Sequence, residues 1–256
     1  MRKDTLPLFK SHYSIGKSIL TLEKEGGSGE TEPKSIIDLS LKHGIKKVFL
    51  IEDSMSGFLE AYTNCKKAKL QLVYGLRVTV CQKKEDLSEE SRKTESKYVV
   101  VAKNTAGYEA LLGLYTDANL DGFYYTPRTD FDSLREIWND DDLQLCVPFY
   151  DSFLYKNALH FSECVPDFSF AKPTFFLEDN SLWLDILIRR KVEEYCGDQF
   201  PQKEVRSIYY ESRDDFLAFT TFKCIGKRSR LDKPEMDHFS SDEFCISRWL
   251  EETGLK

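Results

Sequence analysis

Seven short apolar runs, separated by stretches with helical periodicity, constrain this chain more than any other feature. The runs fall at residues 6–10, 47–51 (KVFLI), 71–80 (QLVYGLRVTV), 97–102, 143–149 (LQLCVPF), 174–178 (TFFLE) and 205–210 (VRSIYY). Each is rich in β-branched or aromatic residues and short enough for a strand. Between them, Tyr108, Leu111, Leu112 and Tyr115 share a helical stripe behind Asn104, which suits an N-cap. Leu184, Ile188, Val192 and Tyr195 form another stripe, stopped by Gly197. A third helix is expected in PKSIIDLSLKHG, with Pro33 near its start and Gly44 at its end. Strands alternating with helices imply a parallel sheet with right-handed crossovers and helices outside. No G-x-G-x-x-G or G-x-x-x-x-G-K-[ST] follows any strand, so nucleotide-binding open sheets gain no support.

At 256 residues the chain has a length common for one α/β barrel. Two stretches read as excursions: the Gly-rich EKEGGSGETEP (23–33) and the polar QKKEDLSEESRKTESK (82–97), the latter expected to be mobile. The strand–helix rhythm resumes after each, so one domain over 1–256 is expected. A net charge of -7 argues against coating duplex DNA, which needs clustered Lys and Arg. Seven cysteines without a C-x-x-C pair exclude zinc ribbons and thioredoxin-like motifs and fit reduced core thiols. No apolar run nears the ~18 residues of a membrane span, and MRKDTLPLFK lacks a signal-peptide core. A soluble cytoplasmic protein is expected.

In parallel α/β folds the functional groups collect at the C-terminal ends of strands. Those ends offer Lys10 and His12, Glu52 and Asp53, Lys103 and Asn104, Glu178 and Asp179, and Tyr209 to Glu211, with Arg77 inside its strand. A metal hydrolase needs several neutral histidines and carboxylates converging. Only four histidines exist. His43 sits at an expected helix end, where it would stabilise the last carbonyls, and His160 and His238 have no partner motif.

Several stretches resemble one family. SHYS, the segment from IIDLSLKHG to GLRVTV, AKNTAGYEALLGLYTDANLDGFYYTPRTD (102–130) and DDFLAFTTFKCIGKRSRLDKPEMDHFSSDEF are similar, in order, to the PHP (polymerase and histidinol phosphatase) domain of bacterial replicative DNA polymerase III alpha subunits. The resemblance is loose over about 135–205 and most specific over 102–130. It implies a distorted barrel of seven βα units, in agreement with the strand count.

The resemblance also implies a metal site whose ligand positions are substituted. The family's first H-x-H pair aligns with Leu8 and Lys10, and the following acid with His12. Its T-D-H aligns with Ile51, Glu52 and Asp53, its acid after G-C with Arg77, and its late N-D-x-H puts Ser207 and Tyr209 at the acid and the histidine. One carboxylate pair does not hold two or three ions, so neither a metal cofactor nor catalytic residues are expected. Three arrangements stay open: Lys10 and Arg77 paired with Glu52 or Asp53, a solvated mouth, or a phosphate gripped by Lys10, Arg77 and Lys103. The family's palm, fingers and thumb would have to follow WLEETGLK, so a stand-alone relative, a piece of a split polymerase or an excised domain is expected, the first two favoured. The resemblance implies replication partners, a polymerase subunit or a proofreading exonuclease, with Phe123, Tyr124 and Tyr125 as candidate contacts. Rival readings are a phosphoesterase or 3′–5′ exonuclease using Glu52, Asp53, His12, Glu178 and Asp179, or a nucleic-acid-binding module using the basic clusters at 65–69 and 226–230.

Overall fold

All seven apolar runs form strands, and a two-residue strand that the pattern does not mark adds an eighth. In the computed structural model, which describes residues 4–23, 34–231 and 240–255, the strands are β1 (Leu6–Phe9), β2 (Lys47–Glu52), β3 (Gln71–Cys81), β4 (Ser96–Ala102), β5 (Thr129–Asp130), β6 (Leu143–Val147), β7 (Thr174–Leu177) and β8 (Gln202–Ile208). The helices are α1 (Ile36–Lys42), α2 (Phe58–Lys67), α3 (Thr105–Leu120), α4 (Phe131–Ile137), α5 (Phe153–Leu159), α6 (Trp183–Cys196), α7 (Phe216–Lys227) and α8 (Ile246–Thr253). The class is mixed α/β, as expected. His238, Pro33 and nearly all of the Gly-rich excursion lie outside the described residues.

Helix boundaries follow the capping chemistry. Asn104 caps α3 by accepting a 3.0 Å hydrogen bond from the Gly107 N–H, and Ser35 caps α1 through the Ile37 N–H at 3.1 Å. Gly44 and Gly197 follow α1 and α6 at φ +66° and +45°, where an L side chain is strained. The buried face of α3 runs through Gly107, Leu111, Leu114 and Ala118, rotated from the expected Tyr108–Leu111–Leu112–Tyr115 stripe. Gly107 drives that rotation: a Cβ there would lie 2.2 Å from the Asp142 carbonyl oxygen, so the helix seats its glycine against backbone.

Contacts divide the chain into two compact units. The first comprises Met1–Tyr74, Glu178–Leu182 and Glu204–Lys256; the second comprises Gly75–Leu177 and Trp183–Lys203. In the first unit β1 lies between β2 and β8, parallel to both, with Leu8 level with Phe49 on one side and Ser207 on the other. Phe9, Leu50, Ile36, Tyr210, Phe219 and Phe244 are among its buried core side chains.

In the second unit β3 pairs antiparallel with β4 and parallel with β5, β4 pairs antiparallel with β6, and β6 pairs parallel with β7. The expectation of parallel strands throughout is therefore corrected at β4. The cause is local. Between β3 and β4 the chain holds only a 3-10 turn, Glu90–Thr94, in place of a crossover helix, so it returns alongside the strand it left.

That polar excursion, expected to be mobile, is tied down by the fully buried Arg128. Its guanidinium donates to the carbonyls of Lys84 (3.0 Å) and Asp86 (3.1 Å), the Ser91 hydroxyl (3.0 Å), the Glu95 carboxylate (3.3 Å) and the Gly122 carbonyl (3.4 Å). Five donors in a rigid fork suit one arginine holding several carbonyls at once.

Candidate functional site

Lys10 follows β1, and Glu52 and Asp53 end and follow the adjacent β2, so parallel pairing alone brings their backbones together. The Lys10 ammonium lies 2.9 Å from Asp53 Oδ1. Its side chain is 5% exposed and that of Asp53 30%. Glu52 is fully buried and accepts hydrogen bonds from the Ser11 N–H (2.7 Å) and the Ser14 hydroxyl. Ser14 Oγ also accepts from the Asp53 N–H at 3.0 Å, which locks the two acidic residues to one turn. Burial pushes the Glu52 carboxyl above the ordinary carboxylate range, against the opposing pull of Lys10 and the bonds from Ser11 and Ser14.

A second buried carboxylate stands beside β8. Glu178 accepts from the Ser207 hydroxyl (2.8 Å), the Ser207 N–H (3.3 Å) and Asn180 Nδ2 (3.1 Å). Arg206 donates to the Asp179 carbonyl at 2.6 Å and bonds Asn180 Oδ1 and the Glu252 carboxylate of α8. The Ser241 hydroxyl donates to the Asn180 carbonyl at 2.6 Å. Burial raises the Glu178 carboxyl too, opposed by Asn180, Ser207 and Arg206. Ser207, at a position where the resemblance puts an acidic ligand, thus serves as a hydrogen-bond donor to a neighbouring acid.

The remaining expected residues go elsewhere. Arg77, expected near Glu52 or Asp53, donates to Asp151 Oδ2 at 2.9 Å and to the Tyr150 carbonyl at 3.1 Å within the second unit. Lys103 Nζ donates to the Asp140 carbonyl, and Asn104 caps α3. Leu8 is buried in β1. Tyr209 is buried in a stack between Phe219 and Phe244, with ring centroids 6.0 and 5.2 Å away. The His12 ring lies 4.5 Å from that of Tyr13, and its Nδ1 is buried without a hydrogen-bond partner. His43 is the C-cap of α1 and its backbone N–H donates to the Leu39 carbonyl at 3.1 Å, while burial and Lys42 lower the pKa of its ring. His160 caps α5, its ring 5.6 Å from Tyr155.

Phe123 and Tyr125 are 54% and 64% exposed. Tyr124 packs edge-on against Tyr125 at 4.7 Å, and the Arg128 guanidinium lies 4.9 Å from its ring centroid. Tyr125 receives Arg92 at 5.0 Å and donates from its hydroxyl to Glu89 at 3.2 Å.

These donors do not fit a metal centre. Among the described residues no three His, Cys, Asp or Glu side chains converge on a point. A metal ion at Asp53 would have to displace the Lys10 ammonium, and both Glu52 oxygens already accept hydrogen bonds. Sequence reasoning missed Ser11, Ser14, Asn180, Arg206 and Arg128. Arg206, a charge flanked by Val205 and Ile208 in the run VRSIYY, was the one legible signal, since a buried guanidinium demands acceptors.

Comparison with known proteins points to one family. Residues 26–152 match the model of the PHP domain. The chain carries a PHP domain. The PHP fold is a distorted α/β barrel, as the resemblance implied. The chain is 21% identical over 234 residues to the DNA polymerase III subunit alpha of Borreliella burgdorferi, covering 85% of this chain and 20% of that protein. It is 34% identical over 94 residues to the corresponding subunit of Helicobacter pylori strain J99 (36% and 8%), and 25% identical over 158 residues to that of Treponema pallidum (58% and 13%). The PHP chain thus spans no more than a fifth of the length of these relatives. No helix among the described residues is long and apolar enough to cross a membrane.

Proposed function

We propose that this protein is a non-catalytic PHP protein of DNA replication, acting in the cytoplasm as a structural or protein-binding component of a polymerase assembly. One observation carries the reading: the Lys10 ammonium lies 2.9 Å from Asp53, at a position where the resemblance puts a metal-binding histidine. A permanent cation on the chain supplies the charge that would otherwise come from a bound ion, and it supplies no Lewis acid or activated water. The relatives are alpha subunits of DNA polymerase III, and that context supports replication proteins as partners. Exposed Phe123 and Tyr125 are the contact residues we assign to such a partner, since exposed aromatics make good anchors.

The test is elemental analysis of the purified protein, joined to an assay on primer termini and a generic phosphodiester with added manganese. Less than stoichiometric zinc, manganese or iron and background turnover are expected. One or more ions per chain, or turnover abolished by Asp53→Ala, would establish instead a metal-dependent phosphoesterase or exonuclease built on Glu52 and Asp53.

A further inference from the structure

The chain is acidic overall, yet two segments of its first unit carry no negative charge. Residues 39–51 and 61–74 contain no Asp or Glu, in a sequence with 43 of them. They do contain Lys42, Lys46, Lys47, Lys66, Lys67 and Lys69. The fold draws these into one surface. The turn after α2 closes through the Leu70 N–H to the Cys65 carbonyl at 2.9 Å, and the Gln71 N–H then donates to the Lys46 carbonyl at 2.9 Å. Lys66, Lys67 and Lys69 on that turn therefore stand beside Lys46 and Lys47 at the start of β2.

Elsewhere the lysines of this protein are often neutralised, as Lys10 is by Asp53 and Lys84 by Asp117. Here Lys42 pairs with Glu211, but Lys46, Lys47, Lys66, Lys67 and Lys69 meet no carboxylate among the described residues. All five are exposed. Two are steadied by rings: Lys47 lies 5.0 Å from the centroid of Phe49, and Lys66 5.7 Å from that of Tyr62, which stacks on Phe58. Lys69 occupies a left-handed turn position (φ +59°) that glycine or asparagine would fill with less strain, so turn geometry does not account for the residue. Five unpaired ammonium groups in a compact field concentrate positive potential at one place.

We propose that this surface binds the phosphate backbone of single-stranded nucleic acid without reading its sequence. A polyanion with regularly spaced charges complements a row of lysines. The alternative of an anionic membrane is less favoured, because Leu41 and Tyr62 are the only exposed large apolar side chains within 39–51 and 61–74, too few to bury an apolar face in a bilayer. Tyr62 already has Phe58 and Lys66 against its ring, so the contact is to phosphates and not a stacking platform for bases.

The proposal is tested by fluorescence anisotropy of the whole chain with a labelled oligothymidylate of about twenty nucleotides, a length several times the ~4-nucleotide lower limit of a single-strand site. Five neutralised phosphates predict a log–log salt slope of about −3.5, hence about a hundredfold loss of affinity over a fourfold rise in salt. The triple variant Lys66→Gln, Lys67→Gln, Lys69→Gln should bind at least about tenfold more weakly, with the slope reduced by about 2 and thermal unfolding unchanged. The pair Lys46→Gln, Lys47→Gln should act in the same direction. Lys227→Gln with Arg230→Gln, in the other basic cluster, should leave binding as it is. Absence of binding at low salt, an unaffected triple variant, or binding to phosphatidylserine vesicles without binding to the oligonucleotide would each overturn the proposal. The inference does not rest on the non-catalytic reading: cleavage of the labelled strand would count against that reading alone, whereas loss of the salt slope would count against this one.

Discussion

Lys10 and Asp53 are paired at 2.9 Å across the ends of two neighbouring parallel strands, and the lysine is the more deeply buried partner. This asymmetry sets what each substitution should do. Asp53→Asn leaves a buried ammonium facing an uncharged amide and should cost about 3 kcal/mol. Lys10→Met leaves Asp53, which still touches water, and should cost about 1 kcal/mol. The double variant should show coupling of about 1 kcal/mol or more. Urea unfolding of the singles and the double measures all three, and additive effects near zero would mean that the pair contributes nothing.

Glu178 and Glu52 give stability a pH dependence of unusual sign. Both carboxyls are raised above their ordinary value of 4.5 by burial. The folded state therefore holds protons that the unfolded chain has released. Their contribution is fully present below the unfolded pKa and is lost as pH rises through the raised folded values. Glu178→Gln removes one of these contributions. Ser207 Oγ, now a donor to Glu178, can accept from the new amide while the amide oxygen keeps Asn180 and the Ser207 N–H. The expected result is a flatter stability–pH curve above about pH 4.5 for Glu178→Gln than for the parent, measured as melting temperature across a buffer series. Identical curves would show that Glu178 titrates normally.

Arg128 should be irreplaceable by lysine. Its fork reaches Lys84, Asp86, Ser91, Glu95 and Gly122, and one ammonium cannot serve that spread. Arg128→Lys and Arg128→Met should each cost about 3 kcal/mol or more, since buried acceptors are left unpaired. Limited proteolysis should then cut between 82 and 95 faster than in the parent. Unchanged cleavage would mean that the excursion holds itself in place.

Two glycines of α3 should respond in opposite ways to alanine. At Gly107 the added methyl would sit 2.2 Å from the Asp142 carbonyl oxygen, so the helix must move, at about 2 kcal/mol or more. At Gly113 nothing lies within 4 Å, and alanine should stabilise by up to about 1 kcal/mol through helix propensity. Thermal melting of the two variants checks the contrast.

The sequence by itself determined the seven main strands, the caps at Asn104 and Gly197, and the placing of Lys10, Glu52 and Asp53 at strand ends. These follow from periodicity and local hydrogen bonding, which span a few residues and leave a mark in any window of the chain. What only the tertiary structure decided were the pairings. Lys10 with Asp53, Arg77 with Asp151, Ser207 with Glu178 and Arg206 with Glu252 join residues between 29 and 74 positions apart. Arg77 shows why: its charge was legible, but the register of the antiparallel β3–β4 pair, set by a connection without a helix, belongs to the second unit and delivers it to Asp151. A charge in a sequence states that a partner is needed, and only the folded backbone decides which acid stands within 3 Å of it.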